Sequence, residues 1–199
     1  MLRKGRWPIA LIIITALSLK VAGASAQAPS IPVLAPLSMP KEIKLNALAV
    51  DIKLKPDFSA FDLSASYRFE NTSKLDARTF SVQVKGGELA GNFALKYGGK
   101  DLSLLSPVEI TLEPGSKVVL TLEGTLPLSG YPVMDLSYPL PKDFAGKGVD
   151  SIRVTVHFPF FLKQEEVVEA EPEGFEFDGF RLIWRWIKEP FPPEVKLSL

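Results

Sequence analysis

Apolar and polar residues alternate along most of this chain with a period of two, the spacing of a β-strand that turns one face to a core and the other to water. The cleanest run sets Phe61, Leu63, Ala65, Tyr67 and Phe69 against Asp62, Ser64, Ser66, Arg68 and Glu70. It predicts a half-buried strand. Ahead of it Ile43, Leu45 and Ala47 alternate with polar residues, and Val50, Ile52 and Leu54 resume on the opposite parity, which requires a bulge or kink near Leu48 and Ala49. Asn71-Thr72-Ser73 supplies a turn, and Phe80, Val82 and Val84 carry the next strand to Gly86-Gly87.

Further along, Phe93, Leu95 and Tyr97 run into Gly98-Gly99, a hairpin turn leading to Asp101. Val108, Ile110 and Leu112 and then Val118, Leu120 and Leu122 flank Glu113-Pro114-Gly115-Ser116, which reads as a second hairpin. The pattern loosens around Pro127, Pro132, Pro139 and Pro141, with one short strand expected near Val133 to Tyr138. Ile152, Val154, Val156 and Phe158 restore strict alternation as far as Pro159, and short runs follow at Val167 to Ala170, Phe175 to Phe177, Phe180 to Ile187 and Val195 to Leu199. About nine to eleven short strands without a helical period predict an all-β fold, an antiparallel two-sheet sandwich of immunoglobulin-like type, with a barrel as the second architecture.

The first residues follow a different pattern. Arg3, Lys4 and Arg6 precede a short apolar run from Ile9 to Leu19, and Ala24-Ser25-Ala26 offers small residues for cleavage, so residues 1–26 read as an export signal that enters as a helix. The alternative is a retained anchor, but eleven residues at ~1.5 Å each span only ~17 Å of a ~30 Å hydrocarbon layer. Residues 27–40, punctuated by Pro29, Pro32, Pro36 and Pro40, read as a linker, and residues 41–199 as one domain. The expected address is therefore exported: periplasmic, cell-surface or secreted.

Removing the signal changes the charge. The chain has 23 basic and 23 acidic residues, and residues 1–26 hold four of the basic ones and no acidic one, which leaves 19 − 23 = −4. That net charge argues against a nucleic-acid partner, which needs a concentrated positive footprint. There is no cysteine, so disulfides, thiolate metal sites and a lipid-bearing cysteine are excluded, and bacterial export fits better than a disulfide-framed secreted module.

Chemistry-bearing motifs are sparse. His157 is the only histidine and sits in an alternating strand; G-x-S-x-G, H-E-x-x-H and phosphate-binding glycine loops do not occur. The acidic stretch Glu165, Glu166, Glu169, Glu171, Glu173, Glu176 and Asp178 matches no calcium loop and reads as a solvated face. No catalytic residue, metal ligand or cofactor site is assigned. The sequon at Asn71 is accounted for by the turn.

Phe158, Phe160, Phe161, Phe175, Phe177, Phe180, Trp184, Trp186 and Phe191 concentrate late in the chain and form the best candidate for a binding surface, with Phe180 to Ile187 as its most patterned segment. Phe180, Leu182, Trp184 and Trp186 share one parity, while Arg181, Ile183, Arg185 and Ile187 share the other. With the first parity inward, the segment is a core strand covered by arginine stems; with Trp184 and Trp186 outward, it is a stripe for carbohydrate or protein. The core reading is preferred because a domain of this size needs large residues inside.

The succession Tyr67-Arg68-Phe69-Glu70-Asn71-Thr72-Ser73, then Leu112-Glu113-Pro114-Gly115 leading into Val118 to Leu122, then Ile152 to Pro159 and Trp184-Arg185-Trp186 resembles the N-terminal β-sandwich domain of zinc aminopeptidases and related bacterial extracytoplasmic immunoglobulin-like domains, over roughly residues 43–199. Catalytic helices follow the sandwich in that family, and no zinc motif stands here, so the resemblance implies a stand-alone, non-catalytic domain. The expected function is binding or structural, at a bacterial cell envelope, with another envelope protein or a polymer as partner. A carbohydrate-binding module is the alternative, and a hydrolase with a carboxylate site the second.

Overall fold

The structure, a computed structural model, describes residues 31–86, 92–128, 135–144 and 149–199. The expected signal at residues 1–26 and the glycine pair at Gly146 and Gly148 lie outside the described residues. Among those described, no α-helix forms, and fourteen strands replace the nine to eleven expected.

An eight-stranded sheet is the spine. Its strands are β2 (Ile43–Leu54), β3 (Ala60–Asn71), β5 (Phe93–Tyr97), β6 (Lys100–Leu102), β8 (Lys117–Pro127), β10 (Ser151–His157), β12 (Glu176–Phe177) and β13 (Arg181–Ile187), in the order β12-β13-β10-β2-β3-β8-β5-β6. The inward residues of β3, from Phe61 to Phe69, are all buried, as the alternation requires. They meet Leu48, Val50, Ile52 and Leu54 of β2 and Val118, Leu120, Leu122 and Leu126 of β8 in one core. Every other pairing in this sheet is antiparallel, but β10 runs parallel to β2, from Ser151 opposite Ala47 to His157 opposite Lys53. The purely antiparallel expectation is corrected at that pair.

Two three-stranded sheets cover the inner face. One is β1 (Val33–Ser38), β4 (Arg78–Lys85) and β7 (Val108–Leu112), ordered β1-β4-β7; the other is β9 (Asp135–Pro139), β11 (Glu169–Glu171) and β14 (Glu194–Ser198), ordered β11-β14-β9. The two-sheet expectation thus becomes three sheets around a shared core. Tyr67, at the centre of the large sheet, ties them together. Its hydroxyl accepts the Leu34 N–H of β1 at 3.2 Å and lies 3.4 Å from the Tyr138 hydroxyl of β9. Burial pushes both phenols above the ordinary tyrosine range. β1 and β9 both meet Tyr67 but do not pair, and each is an edge strand of its own sheet. Pro36 in β1 and Pro139 in β9 lack the N–H that a continuous ladder would use, and proline is accepted on edge strands for that reason.

Three further expectations change. Residues 33–38, expected in the linker, form β1, because Ile31, Leu34 and Ala35 are apolar enough to be buried in the core. The bulge falls at Asn46, where the β2–β3 register shifts between Leu45 and Ala47. Its amide is held outside the core by Glu70 at 2.9 Å and Asp150 at 3.2 Å, which leaves Leu48 on the same inward parity as Val50. The turn at Glu113 to Ser116 forms, with the Ser116 N–H on the Glu113 carbonyl at 3.0 Å, but it joins β7 of one sheet to β8 of another and makes no hairpin. Asn71 directs that crossing. Fully buried, its amide donates to the carbonyls of Asp76, Leu112 and Glu113 at 3.0, 2.9 and 3.2 Å. The hairpin at Gly98-Gly99 forms as expected, both glycines at positive φ.

Candidate functional site

β13 separates the aromatic residues that the sequence placed together. Leu182 and Trp184 turn inward, and Trp184 is 1% exposed, its indole N–H donating to the Pro172 carbonyl at 2.8 Å and its ring meeting Phe175 edge-on at 6.0 Å. Trp186, closer to the sheet end, is half-buried. A tryptophan stripe is therefore absent from the surface, and Trp184 leaves the list of candidate contact residues. Arg181 and Arg185 stand on the outer face as expected, each held by a carboxylate: Arg181 by Asp178 at 2.6 Å and Arg185 by Glu176 at 3.0 Å.

Phe180 shares the inward parity of Leu182 but precedes the strand, and it is 53% exposed. Around it lies the apolar surface that the tryptophans do not provide. β10 runs beside β2, so the chain leaving β10 passes the β2–β3 turn and carries Phe160, 45% exposed, and Phe161, 58% exposed. Phe161 meets Phe180 with centroids 5.5 Å apart, and Phe160 meets Phe58 of the β2–β3 turn at 5.3 Å, both edge to face at 74° and 86°. Four phenylalanine rings thus gather at one end of the large sheet.

Backbone bonds fix the two segments that carry them. The Phe158 N–H donates to the Phe180 carbonyl and the Leu162 N–H to the Gly179 carbonyl, each at 2.8 Å. Phe161 lies over Gly179, where a Cβ would come within 2.2 Å of the ring and where φ is +84°. The positive φ is what favours glycine here, and an added Cβ would push the exposed Phe161 ring aside. Asp178 closes the turn by accepting the N–H groups of Phe180 at 3.0 Å and Arg181 at 2.8 Å, and the Arg181 guanidinium, together with those amides, holds its carboxyl below the ordinary aspartate range. At the other side of the patch, the Lys55 ammonium at 2.5 Å and the Thr125 hydroxyl at 2.7 Å lower Asp62 in the same way.

Phe160 and Phe161 belong to the late aromatic concentration read from the sequence, although the period-two pattern gave them no face; Phe58 was not among the candidates. Pro159 was the available signal, because it ends the β10 parity and leaves Phe160 and Phe161 without an inner face to join.

The remaining chemistry is modest. His157 lies on the outer face with its Nε2 3.3 Å from Asp51, which also faces Arg153 at 3.7 Å. The acidic stretch is spread over local cations and turns: Glu166 accepts the Lys163 N–H, Glu171 faces Lys196, and Glu176 and Asp178 hold the two arginines. Among the described residues, no group of three or more His, Asp or Glu side chains is placed to hold a metal ion, and no helix is long and apolar enough to cross a membrane.

No protein-family model matches the sequence, and no curated protein matches it. Solved structures do. A protein from Legionella pneumophila, provisionally described as a nutrient binding protein, is 14% identical with a TM-score of 0.63, over 85% of this chain and 72% of its own. Yeast LTA4 hydrolase is 9% identical with a TM-score of 0.41, over 82% of this chain and 30% of its own. An M1 zinc metallopeptidase from Deinococcus radiodurans is 13% identical with a TM-score of 0.36, over 79% of this chain and 42% of its own. The first likeness is one of fold.

Proposed function

We propose that this chain is an exported, non-catalytic binding protein of the cell envelope that holds a protein partner through Phe160, Phe161 and Phe180. The observation that carries the reading is the exposure of those three rings on two adjoining segments tied by backbone hydrogen bonds, since large aromatic side chains left in water near one another on a folded surface mark an interaction site. Phe58 backs the patch and Arg181 forms its rim, the combination of aromatic anchors and arginine that dominates protein interfaces. The basic start, apolar run and small-residue site of residues 1–26 support the export part. The provisional description of the Legionella protein as a nutrient binding protein agrees with a binding role in general. A carbohydrate platform is disfavoured, because within each packed pair the rings stand edge to face, at 74° for Phe161 with Phe180 and 86° for Phe58 with Phe160, and neither pair offers two coplanar faces for stacking sugars.

The test is a photo-crosslinking residue at position 161 in the full chain, expressed in its own envelope. One discrete crosslinked protein is expected, and its loss when Phe160 and Phe180 are both changed to Ser. Crosslinks to none, or a product unaffected by those changes, would refute the protein-binding reading. N-terminal sequencing of the recovered protein is expected to begin at Gln27.

A further inference from the structure

The split in the covering layer leaves a cleft that the phenylalanine patch does not explain. It lies between β1 on one side and the end of β9, the following 3-10 turn Lys142–Phe144 and the start of β14 on the other, with a volume of about 360 Å³. That falls within the ~300–1,000 Å³ of small-ligand sites. Its walls are apolar, from Val33, Leu34, Leu140 and three prolines, Pro139, Pro141 and Pro193. Proline cannot supply ladder donors, so this opening is a poor place for an added strand and is kept from closing by strand pairing.

Four charged side chains line the same cleft. Lys85 at the end of β4 and Lys142 are cationic; Asp143 and Glu194 are anionic. Lys85 and Asp143 face one another at 3.4 Å, both about half exposed, a loose pair that a ligand can open at little cost. Glu194 accepts the Ser137 hydroxyl at 2.7 Å and faces Lys196, outside the cleft lining, at 3.5 Å; the hydroxyl first, then Lys196 and lastly Lys142, hold its carboxyl below the ordinary glutamate range. Two cations and two anions around apolar walls match a ligand bearing both charges and an apolar body. A simple anion or cation would leave half of these groups opposed by like charge.

We propose that this cleft binds a small zwitterion of amino-acid or dipeptide size, its carboxylate held by Lys85 and Lys142 and its ammonium by Asp143 and Glu194. The site is independent of the phenylalanine patch, on a different part of the fold and with a different class of ligand.

The experiment is an amide NMR titration of the full chain with L-leucine, with L-leucyl-L-leucine, and with the N-acetylated, C-amidated form of each. Saturable shifts at Leu34, Ala35, Leu140 and Asp143 are expected with at least one zwitterion, and loss of binding with its blocked form. Saturation by leucine assigns a free amino acid, and saturation by the dipeptide alone assigns a peptide. Lys142→Ala and Glu194→Gln change only rim groups, and each should weaken binding about tenfold, the worth of one charge-assisted hydrogen bond. An absence of saturable shifts with both zwitterions would overturn the proposal, as would equal binding of the blocked forms, shifts confined to the Phe160 and Phe180 region, or unchanged affinity in both variants that retain the native spectrum.

Discussion

Trp184 and Phe180 are four residues apart on the same parity of one segment, and they do opposite work. Trp184 is enclosed, with its only polar atom satisfied by Pro172 and its ring against Phe175. Phe180 lies just beyond the end of the ladder, where the sheet no longer has a covering layer to face, and is about half exposed against the equally exposed Phe161. The difference teaches that parity decides burial only where a second layer exists. At the sheet end, the same apolar residue becomes surface.

The contrast is broken most severely from the buried side. Replacing Trp184 by Ala removes a large, fully enclosed ring and strands the Pro172 carbonyl, so a loss of about 3–5 kcal/mol is expected in urea unfolding. A loss under about 1 kcal/mol would mean that Trp184 is not the anchor described. Gly179→Ala comes next. The added Cβ meets the Phe161 ring at a φ of +84°, so a cost of about 1–2 kcal/mol is expected. Unlike the tryptophan change, it should also weaken partner binding, because Phe161 must move aside.

How much of this contrast could be read in advance follows from the same geometry. β3 was legible because its five inward residues all find a covering layer, and Leu182 and Trp184 turn inward as the preferred parity required. β1 was not, since four prolines in fourteen residues look like a linker, and only the empty edge of β4 makes a proline-bearing strand acceptable there. The turn at Glu113 to Ser116 was legible as a turn. Which sheet the next strand would join depended on Asn71, about forty residues away, whose side-chain amide donates to the Leu112 and Glu113 carbonyls before the crossing and whose backbone N–H donates to the Ser116 carbonyl after it. The phenylalanine patch was legible as an aromatic concentration but not as an assembly, because it joins the β2–β3 turn, the exit of β10 and the entry of β13, which the parallel β2–β10 and antiparallel β10–β13 pairings bring side by side.

From the exposed side the expected stability effects are small. Phe160→Ser and Phe180→Ser remove rings that already face water, so each should shift unfolding by no more than about 0.5 kcal/mol, while the two together abolish the crosslink from position 161. A large stability loss from Phe180→Ser would erase the distinction from Trp184, since it would make Phe180 a core residue too.

The finest test concerns Asp178, which sets the turn that presents Phe180. Its carboxylate accepts the Phe180 and Arg181 N–H groups and the Arg181 guanidinium, and these bonds favour the ionised form. The folded-state pKa therefore lies below the unfolded one, so the turn's contribution is present above the ordinary aspartate pKa and fades as pH falls through the lower, folded value. Carboxyl NMR titration should find the Asp178 midpoint below the usual aspartate range, and Arg181→Ala should move it upward without returning it fully, because the two backbone amides remain. Partner binding should then be flat from neutral pH into mild acid and weaken only below the aspartate range. Weakening already near neutral pH would assign control of the patch to another group.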